Sequence, residues 1–113
     1  MESIAPLTLI DILEIAKNKV SYFNQPLTIV NDHVVRVSVM TEPFYWHVHP
    51  NSDETFLVIE GSLFIDLDDK TVELFPGQLF TIPRNIKHRT RPGNGRSVNL
   101  TVEQVDLQTV KVE

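Results

Sequence analysis

The sequence contains no cysteine among its 113 residues. This absence excludes disulfides, iron–sulfur clusters, thiolate zinc sites and cysteine nucleophiles. It says little about the cellular compartment, because a chain without thiols survives oxidising and reducing conditions alike.

An excess of positive charge is also missing, since the formal net charge is −5 and the isoelectric point is about 5.3. Nonspecific nucleic-acid binding needs a basic surface, so we expect no nucleic-acid partner. No apolar run reaches the ~18 residues of a membrane span, so we expect no membrane partner. The N-terminus carries Glu2 where a signal peptide would carry a basic residue. We therefore expect a cytoplasmic protein.

The composition that is present suits one compact domain, with 42% hydrophobic and 22% charged residues. We assign residues 1–113 to a single domain, with an N-terminal helix and first strand in residues 1–30 and a barrel core in residues 33–105. Helical spacing of apolar residues predicts a short helix over residues 8–17, capped by Thr8. Its apolar stripe is formed by Leu9, Ile12, Leu13 and Ala16.

The rest of the chain has the pattern of an all-β protein. Short β-branched and aromatic segments predict strands at residues 27–30, 34–40, 44–49, 55–59, 63–67, 71–75, 79–82, 88–91 and 97–105. Turn-forming residues separate many of them, notably at 60–62, 68–70, 76–77 and 92–95. Many short strands with regular turns indicate a β-sandwich or barrel.

Three of the four histidines form a pattern typical of a metal site. His47 and His49 are two residues apart in a segment of strand composition, so their side chains share one face and can converge on one ion. Glu54 opens the next predicted strand, and a later strand of a closed barrel can present His88 to the same interior. Three imidazoles and one carboxylate suit one divalent transition metal, namely Mn, Fe, Co, Ni, Cu or Zn, and offer too few oxygens for calcium.

These residues also resemble the two motifs of the cupin superfamily. The first reads His47-x-His49-x4-Glu54-x6-Gly61, and the second reads Gly77-x5-Pro83-x4-His88. The stretch 46–88 is similar to small cupins often described as mannose-6-phosphate-isomerase-like. The resemblance implies a double-stranded β-helix, or jelly-roll barrel, with the metal inside its mouth and open coordination positions. It also implies a homodimer.

The sequence departs from the family pattern at three positions. Thr41 and Asn85 stand where the family often has glycine, and Pro92 stands where asparagine is expected. Asn85 is a mild change, because asparagine tolerates the left-handed backbone that glycine usually supplies. None of these positions is a predicted ligand, so the departures concern the shape of the loop around His88.

Several neighbouring residues admit two interpretations. Tyr45 has the strand parity of His47 and either enters the cavity as a proton carrier or is a core aromatic. Arg36 either binds an anionic ligand in the cavity or is solvated outside it. A polar stripe is either cavity wall or solvent face, and a basic group around His88 either steers anions to the site or is an ordinary exposed loop. The stripe comprises Ser97, Asn99 and Thr101, and the basic group comprises Arg84, Lys87, Arg89, Arg91 and Arg96.

Two functions follow from this reading. The first is a metal-dependent enzyme acting on a small polar molecule, of the oxygenase, isomerase or related type that the resemblance implies. In that hypothesis the metal ligands are His47, His49, Glu54 and His88, and Tyr45 is the candidate catalytic residue. The alternative is a noncatalytic module that binds a metal or a small ligand. Metal-dependent turnover separates the two.

Overall fold

Residues 2–113, which the computed structural model describes, form one short helix and eight strands. The helix α1 is Ile12–Ala16. The strands are β1 Phe23–Val30, β2 His33–Met40, β3 His47–Val48, β4 Glu54–Asp66, β5 Thr71–Leu74, β6 Leu79–Ile82, β7 Arg89–Gln104 and β8 Val110–Lys111.

Two long antiparallel strands, β4 and β7, run through the whole fold and hold its parts together. The first half of β4 pairs with β6 and with the second half of β7. The second half of β7 also pairs with β2, and β2 pairs with β1 at the edge of the sheet. The second half of β4 pairs with β5 and with the first half of β7. Strands β3 and β8 form a separate small sheet. The predicted all-β, double-stranded β-helix fold with a short N-terminal helix is therefore confirmed.

Apolar side chains pack on both sides of the sheet. One cluster fills the interior and comprises Met40, Phe56, Val58, Leu63, Ile65, Leu74 and Ile82. The second lies beneath the N-terminal segment, where Val37, Val39 and Val98 pack with Ala16 and with partly buried isoleucines. Each fully buried valine contributes about 1.5–3 kcal/mol, so the N-terminal segment stabilises the sheet by covering it.

The helix is shorter than the sequence pattern predicted. Asp11 is its N-cap, and its Oδ1 accepts from the Glu14 amide at 3.2 Å, so Thr8 is not the cap. Because the helix begins at Ile12, the apolar contacts to the sheet come from Ile12 and Ala16 of the predicted stripe, joined by Ile15. Leu9 and Leu13, the other two members of the predicted stripe, are 95% and 52% exposed.

Two predicted turns, at residues 60–62 and 92–95, lie inside strands. On β4 a single residue, Gly61, lies between Glu60 and Ser62. Their partners on β7 are Val98 and Gly93, and four residues, 94–97, lie between those. The surplus residues are accommodated as an irregularity in the ladder, which bends both strands without ending them. Gly61 has φ +77°, and an added Cβ would collide with the Arg96 carbonyl oxygen. Glycine is therefore required at this bend.

The strand predicted at residues 44–49 is reduced to β3, because only His47 and Val48 pair with β8. Asn85 has φ +67°, which confirms that asparagine supplies the left-handed backbone expected there. No helix within residues 2–113 has the length and apolar character needed to cross a membrane.

Candidate metal centre

The four predicted ligands lie together at one end of the barrel. One ligand atom from each of His47, His49, Glu54 and His88 falls within 4.8 Å of the others. All four side chains are buried, with exposed fractions between 1% and 7%. A set of nitrogen and carboxylate donors this close can converge on one ion at the usual 2.0–2.2 Å distances.

Backbone pairing explains why residues distant in sequence meet here. His47 and His88 form an isolated antiparallel bridge, in which each amide donates to the other's carbonyl at 2.9 and 3.0 Å. Residues paired directly across such a bridge place their side chains on the same side. The His47 and His88 rings are accordingly 4.3 Å apart between centroids. His49, two residues further along, has its ring centroid 4.7 Å from that of His47.

Each imidazole is oriented by a backbone carbonyl at its Nδ1 atom. His47 Nδ1 is 2.7 Å from the Tyr45 oxygen, His49 Nδ1 is 2.9 Å from the Gln108 oxygen, and His88 Nδ1 is 2.8 Å from the Ile86 oxygen. A carbonyl oxygen only accepts, so each Nδ1 carries a proton and donates it. In all three rings Nε2 is therefore the atom directed at the shared point, as in metal-binding histidines.

The surroundings of His88 indicate that a cation fits at the centre of the cluster. Its side chain is 1% exposed, and its Nε2 makes no hydrogen bond within residues 2–113, although Glu54 Oε1 lies 3.5 Å away. A buried polar atom without a partner is destabilising by about 1–3 kcal/mol, so proteins rarely retain one without a use for it. A cation at the centre of the cluster would satisfy this nitrogen, and the residues present fit that group.

The pKa shifts of the candidate ligands bear on how they would bind a cation. Burial lowers the pKa of His47 to about 4, so this imidazole is neutral near pH 7. Burial alone would raise the pKa of Glu54, but the hydrogen bond with His49 and the nearby imidazole of His88 outweigh it and lower the pKa to about 2. For His49, burial opposes the charged form, but the bond to Glu54 outweighs it and raises the pKa. A metal ion would compete with the proton held between His49 and Glu54.

The C-terminal segment holds the loop between His49 and Glu54 in place. The Asn51 side chain donates to the Asp106 carbonyl at 3.0 Å and accepts from the Gln108 amide at 2.9 Å. Ser52 Oγ accepts from the Gln104 amide at 3.0 Å. Because Gln108 also orients His49, the segment after β7 is part of the site, which the sequence analysis did not foresee.

A cavity of about 330 Å³ opens beside the cluster and is lined by three of the predicted ligands, His47, His49 and Glu54. Asn99 and Thr101 line it, and the third member of the polar stripe, Ser97, is fully buried, so this stripe belongs to the inner wall. Arg36 also lines the cavity, with its side chain 27% exposed, which decides between its two interpretations in favour of the inside. Apolar walls are contributed by Met40, Phe44, Phe56, Val105 and Leu107.

Tyr45 does not line this cavity. Its ring stacks on Phe44 at 4.2 Å, lies 5.6 Å from the His47 ring and is 40% exposed. Phe44 occupies the cavity wall instead. The role of Tyr45 as a proton carrier stays a prediction.

The basic residues near His88 are largely engaged in ion pairs. Arg89 and Arg91 both donate to Asp66, with Nε–Oδ2 distances of 2.9 Å. Arg96 donates to Glu60 and to the carbonyl of Ala16 at the end of α1. These contacts assign Arg89, Arg91 and Arg96 to holding strands and helix together.

One buried residue of the cavity was missed by the sequence analysis. Glu103 lines the cavity near the end of β7 and is 2% exposed. Burial and the neighbouring charge of Glu54 raise its pKa to about 7. The signal was present, because Glu103 continues the alternation of Asn99 and Thr101 by one more step.

The fold and this centre together define a double-stranded β-helix barrel with a histidine and glutamate cluster that could hold a metal ion. Residues 33–103 match the family described as cupin domain, and the chain belongs to that family. A relative, the uncharacterized protein YdbB of Bacillus subtilis (strain 168), is 45% identical over 96 residues, which are 84% of each chain.

Solved structures give the same fold at low identity. A conserved protein with a double-stranded beta-helix domain from Klebsiella pneumoniae has a TM-score of 0.76 and 18% identity, covering 93% of this chain and 96% of its own. The DMSP lyase DddQ from Ruegeria pomeroyi has a TM-score of 0.67 and 19% identity, covering 81% of this chain and 51% of its own. These likenesses establish the architecture, which enzymes share with proteins of unassigned activity.

Proposed function

We propose that this cupin is a metal-dependent enzyme of the oxygenase or isomerase type, acting on a small polar molecule. His47, His49 and His88 would hold one divalent transition metal through Nε2, and Glu54 would complete the protein ligands through its carboxylate. The observation that carries the proposal is the orphaned Nε2 of His88, together with the carbonyl bonds that direct all three rings to one point.

The adjoining cavity supports an enzyme rather than a closed structural site. Four protein ligands around a tetrahedral ion would leave no coordination position, whereas this cluster borders about 330 Å³ of space lined by polar and apolar groups. When bound, the metal would act as a Lewis acid toward a carbonyl or carboxylate, or would activate dioxygen. The chain's own residues bind and orient the small molecule, with Phe44 and Phe56 limiting access of water.

The first test is metal content by plasma mass spectrometry on protein purified without a metal-affinity tag. We expect about one transition-metal ion per chain, lost in the His47→Ala, His49→Ala double variant. His33→Ala is the matched control, because His33 pairs with Asp32 at 2.7 Å outside the cluster. Absence of metal, both as purified and after reconstitution with Mn, Fe, Co, Ni, Cu or Zn, would refute the proposal.

Turnover separates an enzyme from a binding module. Metal-loaded protein is incubated with a panel of small carbonyl and carboxylic compounds, in air and under nitrogen, and consumption is followed by mass spectrometry. Consumption that disappears in the double variant supports the enzyme, and dependence on air assigns the oxygenase type. Binding without consumption across the panel would favour the noncatalytic module.

We also propose a second copy of this chain as the partner, in the cytoplasm. The support is membership of the cupin family, whose small members are commonly homodimers, and large apolar side chains such as Leu9, 95% exposed, and Leu79, 63% exposed, are available for such a contact. Light scattering at micromolar concentration should give twice the chain mass of 12.9 kDa. A mass of one chain over the whole concentration range would contradict the homodimer.

A further inference from the structure

The cavity contains a second polar site beside the metal cluster. Glu103 Oε1 lies 3.4 Å from Arg36 Nε, while Glu103 Oε2 is buried without a hydrogen-bond partner within residues 2–113. Arg36 Nη1 donates to Asn24 Oδ1 at 3.2 Å, which leaves other guanidinium N–H groups for further acceptors. A carboxylate oxygen buried without a partner is destabilising, which indicates that Glu103 serves ligand binding rather than folding.

Strand register places this pair next to the cluster. Strands β4 and β7 pair Thr55 with Val102, so Glu54 and Glu103 are the next residues on adjacent strands, and both line the cavity. Side chains at such positions lie about 4.5–5.5 Å apart at Cβ. On the other side of β7, Arg36 of β2 pairs with Thr101 and so lies diagonal to Glu103. Three charged groups therefore cross the wall in the order Glu54, Glu103, Arg36.

We propose that Glu103 and Arg36 form a hydroxyl-binding subsite, so that the ligand of this cavity is a short-chain hydroxy acid. The inference rests on the proposed metal site, which would take the carboxylate end of that ligand. A hydroxyl group donates to the Glu103 carboxylate and accepts from Arg36 in one position. A second carboxylate there would be repelled by Glu103, and an ammonium group would be repelled by Arg36.

Charge balance supports an acid at the other end. A divalent metal and the Glu54 carboxylate leave one net positive charge. Glu103 compensates Arg36 when its carboxyl group is ionised, and when it is protonated the site is more positive still. A buried site with net positive charge favours an anionic group over a neutral one. The ligand therefore has a carboxylate on the metal side and a neutral hydroxyl group on the side of Arg36.

The test compares acids that differ by one hydroxyl group. Manganese-loaded protein is titrated calorimetrically with 3-hydroxypropionate against propionate, and with 4-hydroxybutyrate against butyrate. In at least one pair the hydroxy acid should bind roughly tenfold more tightly, as expected for a hydrogen bond to a charged group. Glu103→Gln should abolish that preference, while Glu42→Gln, the same change at an exposed position, should retain it.

The outcomes separate the subsite from the metal centre. Equal affinities within both pairs, no binding of any of the four acids, or a preference that survives in Glu103→Gln would each overturn the subsite. Manganese binding is measured separately by electron paramagnetic resonance. If manganese does not bind, the acids are titrated against protein loaded with whichever of Fe, Co, Ni, Cu or Zn does bind. If none of the six metals binds, the metal proposal fails, and the same pairwise comparison on the metal-free protein decides the subsite alone.

Discussion

Replacing His88 should remove the stabilisation that a metal ion gives to this protein. His88 is 1% exposed, and its Nε2 faces the cluster without a hydrogen bond. His88→Ala therefore deletes one of the four proposed ligands at a buried position, where an exposed side chain does not take its place. Loss of a group that merely orients a ligand weakens metal affinity by about 10–100-fold. Loss of a ligand itself should therefore weaken it by about 100-fold or more.

The size of the effect follows from mass action. A ligand present at 100 times its Kd stabilises the native state by about 2.7 kcal/mol, and after a 100-fold loss of affinity by about 0.4 kcal/mol. For a chain of this length, 1 kcal/mol corresponds to about 4 °C in the melting temperature. The metal should raise the melting temperature of the unmodified protein by roughly 11 °C and that of the variant by less than about 2 °C.

Differential scanning fluorimetry, with each protein measured in chelator and in excess metal, supplies both values. Each variant is compared with its own chelator baseline, so a general loss of stability in His88→Ala does not disturb the result. His33→Ala should keep the full metal-induced shift, because His33 bonds Asp32 outside the cluster. A full shift retained in His88→Ala would refute the assignment of Nε2 as a ligand.

Two further predictions concern the scaffold. Asp66→Asn should lower the free energy of unfolding at pH 7 by about 1–3 kcal/mol, since this buried carboxylate binds two arginines. The Arg91 guanidinium holds the pKa of Asp66 well below its usual range, so this contribution is complete above about pH 4 and is lost as pH falls further. Urea titrations should therefore show a difference that shrinks in acid, and a constant difference would contradict it. Gly61→Ala should be destabilising by about 2–4 kcal/mol, because φ is +77° and the new Cβ meets backbone, whereas Gly77→Ala, with similar φ and open space around it, should cost only about 1–2 kcal/mol. Equal effects in thermal unfolding would refute the close approach.

The ligand cluster was predictable because its key spacing is local. His47 and His49 share a face whenever residues 47–49 are extended, whatever the rest of the chain does. Glu54 and His88 needed the fold, and the cupin motifs supplied it. The pairing of His47 with His88 is a long-range contact that neither residue's neighbours reveal.

The bends at residues 60–62 and 92–95 were read as turns because glycine, proline and asparagine signal a turn and a bulge alike. The outcome was decided by pairing between β4 and β7, which continues on both sides of the irregularity. The start of the helix was also predicted wrongly, because both Thr8 and Asp11 are suitable N-caps. Asp11 is the cap in the structure, where Ile12 and Ile15 pack against the sheet.

The orientation of β2 shows why the cavity wall stayed open to two interpretations. Its valines alternate with Arg36 and Ser38, which in a strand with one solvated face would put the polar residues outside. Here the N-terminal segment covers the outer face, so Val37 and Val39 pack outward against it and the polar residues face the cavity. Whether a strand face is buried therefore depends on the segment that covers it, and the alternation of residues along the strand does not decide it. On β7, Glu103 likewise faces the cavity rather than solvent. A polar binding cavity in so small a barrel therefore requires the N-terminal segment to cover the apolar outer face of the sheet.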